Sequence, residues 1–227
     1  PMVFMTYANV VFSYGSEKFI SICKEIGIDG LILPDIPYEE KDEFDGICKK
    51  YDLDLVSMIA PTSHDRISMI AKEANGFIYC VSSLGVTGTR SKITTDIGAM
   101  TKLVKAATDT PCAIGFGIST PEQAKEMAAH ADGVIVGSAI VKLCAKYGRD
   151  CVPYIKDYVV KAEDGIRDTN AHVKPCDYIK RTALLRLAVV SMICIYVIRK
   201  CSCANSPFRL KQAPTFARIC ISLRNPR

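Results

Sequence analysis

Residues 111–142 contain two consecutive units in which an apolar strand pattern runs through glycine into a helix pattern. In the first unit the apolar run ends at Gly115, and a helix signal opens at Thr120 with proline and glutamate next in the sequence. In the second unit the apolar run 133–136 ends at Gly137, and a helical pattern follows. Two such units in succession favour a parallel sheet, because parallel neighbours require a crossover connection.

The glycines of these units predict a phosphate site. Glycine at a strand end lets the backbone approach a ligand, and the amides at the start of the next helix carry partial positive charge. Such amides hold a phosphate without a lysine. A single isolated glycine pair would instead favour a plain tight turn, whereas two matched units about twenty residues apart favour the phosphate site.

The whole of residues 1–147 divides into six strand–helix repeats. Apolar strands are predicted at 2–5, 30–33, 53–59, 77–81, 111–114 and 133–136, and helices at 16–26, 39–51, 65–74, 96–107, from 120 and at 139–147. Ser16 is predicted to cap the first helix, and the glycine-punctuated stretch 82–90 is predicted to be a functional loop.

Six strands would also suit an open doubly wound sheet, but no Gly-x-Gly-x-x-Gly follows the first strand. The glycine signals lie late in the chain, where a (β/α)8 barrel binds phosphate. We therefore expect an α/β fold of the (β/α)8 barrel family, incomplete, with about six of the eight units. Because the sequence opens at Pro1 within a strand pattern and shows no signal peptide, we also expect that an upstream segment is absent.

A change of charge near residue 174 predicts two regions. Residues 1–174 hold 19 Lys and Arg against 23 acidic residues, whereas residues 175–227 hold 10 against 1. We expect a partial barrel over 1–174 and a basic, cysteine-containing tail over 175–227 that is disordered or loosely packed. The tail lacks the interleaved aromatics that would indicate nucleic-acid binding.

An apolar run of twelve residues, 187–198, lies within this tail. It is shorter than the roughly 20 residues of a membrane span, so membrane insertion is disfavoured. It is interpreted as a strand or helix packed on the domain, as a membrane helix, or as sequence from outside the original reading frame. A barrel lacking two strands has two open edges, and this run is a candidate to cover one of them.

Eleven cysteines, an odd number without pairing register or metal-ligand spacing, indicate reduced thiols and a cytoplasmic location. No metal site is predicted.

Five motifs in order resemble the tryptophan synthase alpha subunit family over about residues 1–173. They are Tyr7-Ala8-Asn9, Leu33-Pro34-Asp35-Ile36-Pro37, Gly85-Val86-Thr87-Gly88, Gly115-Phe116-Gly117-Ile118-Ser119 and Gly137-Ser138-Ala139-Ile140-Val141-Lys142.

The resemblance implies a (β/α)8 barrel lyase of tryptophan biosynthesis. Its reaction is the reverse aldol cleavage of indole-3-glycerol phosphate into indole and glyceraldehyde 3-phosphate. It also implies an α2β2 assembly with a β subunit that carries pyridoxal phosphate, so that no cofactor is expected on this chain. The location implied is cytoplasmic, or the plastid if the source is a photosynthetic eukaryote.

The resemblance also assigns roles to individual positions. The resemblance implies that the phosphate is bound by Gly88, Gly117, Gly137 and Ser138. It implies that the rest of the substrate contacts Phe116, an apolar wall for indole, and the active-site tyrosines Tyr7 and Tyr79. Thr87 is implied on a loop that closes over the substrate. Asn9 and Asp35 are implied near the β-subunit contact. The alternatives are core aromatics for Tyr79 and Phe116, turn residues for Asn9 and Asp35, and an ordinary loop residue for Thr87.

The reaction needs a general acid and a general base, which a carboxylate pair can supply. The resemblance places the family's two acids in the first two strand–loop segments, which have no counterpart in this sequence. The acid pair is therefore expected upstream of Pro1, and no catalytic residue is predicted within this sequence. Asp35 is not assigned a catalytic role.

We expect weak phosphate-ester binding without turnover. The alternative function is a non-catalytic barrel fragment that associates with a partner subunit or with itself. A different phosphate-binding barrel of the same pathway is disfavoured, because the predicted strand ends offer no lysine.

Overall fold

A computed structural model of the chain describes residues 2–61, 64–81, 97–115, 120–167 and 196–199. The strands are β1 (Val3–Met5), β2 (Gly30–Ile32), β3 (Asp54–Leu55), β4 (Ser57–Ile59), β5 (Ile78–Val81), β6 (Cys112–Gly115), β7 (Gly133–Val136) and β8 (Tyr196–Arg199). The helices are α1 (Ala8–Tyr14), α2 (Ser16–Glu25), α3 (Asp42–Lys50), α4 (His64–Lys72), α5 (Ile97–Ala107), α6 (Pro121–Ala128), α7 (Ser138–Tyr147) and α8 (Val152–Arg167).

Strands β1 to β7 form parallel pairs that follow the chain order. One sheet has the order β1-β2-β3, and the other runs from β4 through β5 and β6 to β7. The segment 54–59 belongs to both, because β3 pairs with β2 and β4 pairs with β5. The Val56 amide between them donates to the Leu31 carbonyl at 2.8 Å. The six predicted strand positions thus form a partial (β/α)8 barrel.

The two faces of the strands bury different sets of residues. A small cluster takes one buried residue from each successive strand position: Met5, Ile32, Val56, Tyr79, Ala113 and Ile135. A larger cluster joins the opposite faces of β4 to β7 to the helices, and includes Ile78, Cys80, Ile114 and Val134. Inward and outward residues therefore alternate along each strand, as in a barrel whose interior is filled by side chains.

Local signals account for most element boundaries, with two corrections. Thr120 caps α6, as predicted, and Gln123 completes a capping box that was not predicted. Ser16 was expected to cap α2, but Gly15 occupies the cap position with φ of 94° and Ser16 is the first helical residue. The reason is that α1 ends at Tyr14, so a single residue turns the chain into α2, and glycine adopts the positive φ of this turn without strain.

The second correction concerns the single strand predicted over 53–59. Pairing changes from β2 to β5 at Val56, which divides the segment into two short strands. Helix α1 was not predicted at all.

Strand β8 comes from the basic tail and lies antiparallel to β7, with Gly133 opposite Arg199 and Val136 opposite Tyr196. One of the two predicted open edges is therefore paired. The region boundary expected near residue 174 lies outside the described residues, as does most of 175–227. None of the helices in the described part of the chain has the length and apolar content needed to cross a bilayer.

Candidate functional site

The parallel strands bring several of the predicted site residues that the structure describes to one rim. Because carboxyl ends of parallel strands share an edge, residues that follow them lie on the same side of the sheet. Tyr7 follows β1, Asp35 follows β2, and Gly137 follows β7. Gly115 is the last residue of β6, which lies between β5 and β7.

Within the part of the chain that the structure describes, the amino end of α7 is a rim position that can bind an anion. Gly137 precedes the ten-residue helix, no side chain of the described residues caps it, and its first turn contains no acidic residue. The Gly137 carbonyl accepts from the Ile140 and Val141 amides at 3.0 and 3.1 Å, so the helix forms from its first turn. Ser138, the first helical residue, is half-buried. The amides and this hydroxyl can donate to a phosphate.

The amino end of the preceding helix, α6, differs from that of α7. Its amino end is capped by the Thr120 side chain, which accepts from the Gln123 amide at 3.3 Å. It also carries Glu122, and hydrogen bonding from the Glu122 backbone amide lowers the pKa of that carboxyl. Helix α6 therefore supplies its own anion, whereas α7 does not.

Tyr79 lies inside the barrel on β5, next to the end of β6. It is 4% exposed, and a Cβ built on Gly115 would lie 2.3 Å from the Tyr79 hydroxyl oxygen and 2.5 Å from Cζ. The ring of Tyr79 therefore covers the Cα of Gly115, and glycine is required there by space rather than by a positive φ. Burial raises the pKa of Tyr79 above its ordinary range, so that the hydroxyl stays neutral and can donate a hydrogen bond.

Asn9 and Asp35 come together at the amino end of α1. The Ala8 amide donates to both Asp35 carboxylate oxygens, at 2.9 Å to Oδ1 and 3.2 Å to Oδ2. Asp35 thus caps helix α1, which two residues separate from the neighbouring strand β1. Asn9 is exposed beside it, and Tyr7 is 61% exposed.

Several sequence predictions fall on parts of the chain that the structure does not describe. Pro1 lies outside the described residues, which begin at residue 2, so the acid pair expected upstream of Pro1 stays a prediction. The predicted 82–90 loop and four predicted site residues also lie outside the described ranges: Thr87, Gly88, Phe116 and Gly117.

Sequence reasoning missed two contacts at the rim. One is the close fit of Gly115 against Tyr79, which lie 36 positions apart, so that no local pattern marks the pair. The other is the Asp35 cap on α1. The Pro-Asp pair after a strand could have indicated it, because such a pair predicts a turn residue with a hydrogen-bonding side chain.

A cavity of about 260 Å³ lies at the opposite, amino-terminal side of the strands. Its lining includes Asp45, Lys49, Asp52, Asp54 and Asn75. Lys49 pairs with Asp45 at 2.6 Å, and no group of three or more metal-ligating side chains is found in the described ranges. This cavity is separate from the rim.

Comparisons with known proteins identify relatives of the chain. A family model described as "Tryptophan synthase alpha chain" matches residues 1–168. The tryptophan synthase alpha chain of Lacticaseibacillus casei is 52% identical over 146 residues, which are 64% of this chain and 55% of that protein. That of Caldanaerobacter subterraneus subsp. tengcongensis is 45% identical over 166 residues, 72% of this chain and 63% of that protein.

A solved structure of the tryptophan synthase α2β2 complex of Pyrococcus furiosus matches with a TM-score of 0.63 and 32% identity, covering 71% of this chain and 66% of the matched one. The chain spans a little over half the length of the curated relatives that it matches. The family model covers most of its residues, and the parallel strand–helix order agrees with it. The chain belongs to the tryptophan synthase alpha chain family.

Proposed function

We propose that this chain serves the lyase reaction of tryptophan biosynthesis, the reverse aldol cleavage of indole-3-glycerol phosphate, by holding the phosphate end of the substrate. The observation that carries the proposal is the amino end of α7, which has neither a side-chain cap nor a first-turn acid. Membership of the family favours a lyase; the specific substrate is part of the proposal.

The neighbouring residues suit the remainder of such a substrate. Met5, Ile32 and Ile135 belong to one buried apolar cluster between the strands, and an aromatic ring of the substrate that packs against the rim end of this cluster would remove apolar surface from water. The neutral Tyr79 hydroxyl adds a hydrogen-bond donor next to Gly115. An anion at α7 and an apolar group against this cluster together match a phosphate ester that carries an aromatic ring.

We propose binding without turnover by this chain on its own. Cleavage requires proton transfer to and from the substrate, for which two acids are the usual agents. Asp35, which follows β2, has both oxygens engaged by the Ala8 amide. Indole release from purified chain incubated with indole-3-glycerol phosphate should therefore stay at background, and release above background would contradict this part of the proposal.

The phosphate site is tested by placing a negative charge on α7. Ser138→Asp should weaken binding of indole-3-glycerol phosphate at least about tenfold, measured by isothermal titration, because like charges repel strongly in a partly buried site. Ser16→Asp is the matched control. Like Ser138, Ser16 is half-buried and is the first residue of a ten-residue helix that follows a glycine at the cap position.

Ser16→Asp should leave the affinity unchanged. Indole-3-glycerol without its phosphate should bind equally to wild type and to Ser138→Asp. Equal weakening by both serine variants, or a loss for Ser138→Asp that persists with the phosphate-free ligand, would overturn the assignment of the phosphate to α7.

We propose a tryptophan synthase β subunit as the partner, with pyridoxal phosphate on that subunit and no cofactor on this chain. Support comes from the Pyrococcus furiosus relative, which is an α2β2 complex. Asn9 is exposed where Asp35 caps α1, so both are available at that surface. We further propose a cytoplasmic location, supported by the six described cysteines, which are thiols.

A further inference from the structure

Strand β7 is paired on both sides. It pairs in parallel with β6 and antiparallel with β8, four residues contributed by the basic tail. The antiparallel direction sets β8 apart from the six parallel strand positions. A strand has only two edges, so no other strand can add to β7 while β8 is in place.

The edge that β8 covers would otherwise promote association. All four residues of β7 are buried, and Val134, Ile135 and Val136 are at most 3% exposed. An apolar strand with a free row of backbone donors and acceptors is a template for a strand from another chain. At the other end of the described sheet, β1 pairs only with β2.

Charge makes β8 a poor edge for further pairing. It is four residues long, ends at Arg199, and is followed in sequence by Lys200. Residues 175–227 carry ten Lys and Arg against one acidic residue. Short, positively charged edge strands are a common means by which proteins prevent edge-to-edge pairing, because two such edges repel each other.

We propose that β8 protects the β7 edge within the same chain. By pairing with β7, this strand of the tail prevents a second copy of the chain from adding a strand at the same edge. The inference does not depend on the proposed enzymatic role. It gives the tail a physical role, which is to prevent self-association at the β7 edge.

The test uses the full chain and hydrogen exchange. In wild type, the amides within residues 196–199 that bond to β7 should exchange at least about tenfold more slowly than the same amides in a free peptide of this sequence, since they are in a ladder. Val197→Pro, which removes a backbone donor within β8, should increase exchange at residues 133–136. The mass measured by light scattering should then rise with protein concentration. Ala204→Pro, in the tail beyond the strand, is the control and should behave as wild type.

Two results would overturn the proposal. One is exchange at residues 196–199 as fast as in the free peptide, a measurement that needs no variant and so does not depend on Val197→Pro folding. The other is a folded Val197→Pro chain, checked by circular dichroism, whose mass shows the same concentration dependence as wild type.

Discussion

Tyr79 and Gly115 show how a single contact shapes the candidate site. Their strands are neighbours, with Tyr79 opposite Ala113 and Val81 opposite Gly115. The Tyr79 side chain leans along its strand toward the carboxyl rim, so its hydroxyl reaches the level of Gly115 rather than that of Ala113. Only a residue without a Cβ leaves room for it. The position of the tyrosine hydroxyl therefore depends on a glycine two residues beyond its own cross-strand partner.

We predict that Gly115→Ala lowers the free energy of unfolding by about 1–3 kcal/mol, the usual cost of adding a methyl group to a filled interior. Urea unfolding measures the change. Gly46→Ala is the control, because no atom lies within 4 Å of a Cβ built at Gly46 in α3. That substitution should raise stability by about 0.5–1 kcal/mol through helix propensity.

Tyr79→Leu should partly relieve the Gly115→Ala change, since it removes the ring atoms that the new methyl group would meet. If the two changes are instead additive in a double-mutant cycle, the clash is not the cause.

Helix α6 illustrates what local sequence can do for an element. The Thr120 hydroxyl accepts from the Gln123 amide, and the Gln123 side chain accepts from the Thr120 amide, each at 3.3 Å. Both bonds join residues three apart, so they form as soon as the helix does. The helix then packs against α8 and against the strands through Ala124, Met127 and Ala128, which are buried.

We predict that Thr120→Ala lowers the free energy of unfolding by about 1 kcal/mol, as loss of a capping hydroxyl generally does. Thr120→Ser keeps the hydroxyl and should cost much less. Chemical denaturation of both variants checks this. Equal losses for alanine and serine would show that the methyl group, rather than the cap, stabilises the helix.

At the scale of the described molecule, ion pairs join the successive helical segments from α2 to α4 in the outer layer. Lys50 of α3 contacts Glu17 of α2 at 2.5 Å, and Arg66 of α4 contacts Glu39 at 2.7 and 3.0 Å. Lys41 pairs with Glu73, so the segment before α3 is tied to the end of α4. Hydrogen bonds from these cations lower the pKa values of Glu17, Glu39 and Glu73.

A lowered pKa in the folded state means that the carboxylate stabilises the fold when it is ionised. The contribution is complete above the ordinary glutamate pKa of 4.5 and is lost as the pH falls through the lower folded values. We predict that the urea midpoint decreases below pH 4.5 and that Glu39→Gln reduces this decrease. Added salt should also reduce it, because the pairs are exposed.

Glu40→Gln is the control, because the neighbouring Glu40 makes none of these ion pairs. A midpoint that responds to acid equally in wild type and in Glu39→Gln would show that the Glu39–Arg66 pair contributes nothing measurable.

The success of the sequence-based predictions depended on how far apart in the sequence the interacting residues lie. The strand–helix alternation, the parallel sheet and the α6 cap follow from spacings of two to four residues, and those predictions were confirmed. The cap on α2 was predicted wrongly, because α1 was not recognised and Gly15 had to join two helices. The residue roles implied by the family stay predictions, and several of those residues lie outside the described ranges.

The sequence by itself determined the order of the elements, their apolar faces and the rim at which glycine and serine meet, because hydrophobic periodicity and capping act within one turn or one strand. Only the tertiary structure decided that Tyr79 covers Gly115, that Asp35 caps a helix 27 residues away, and that a strand from the basic tail pairs with β7. Such contacts join residues distant in sequence, and they form only when folding brings their strands together.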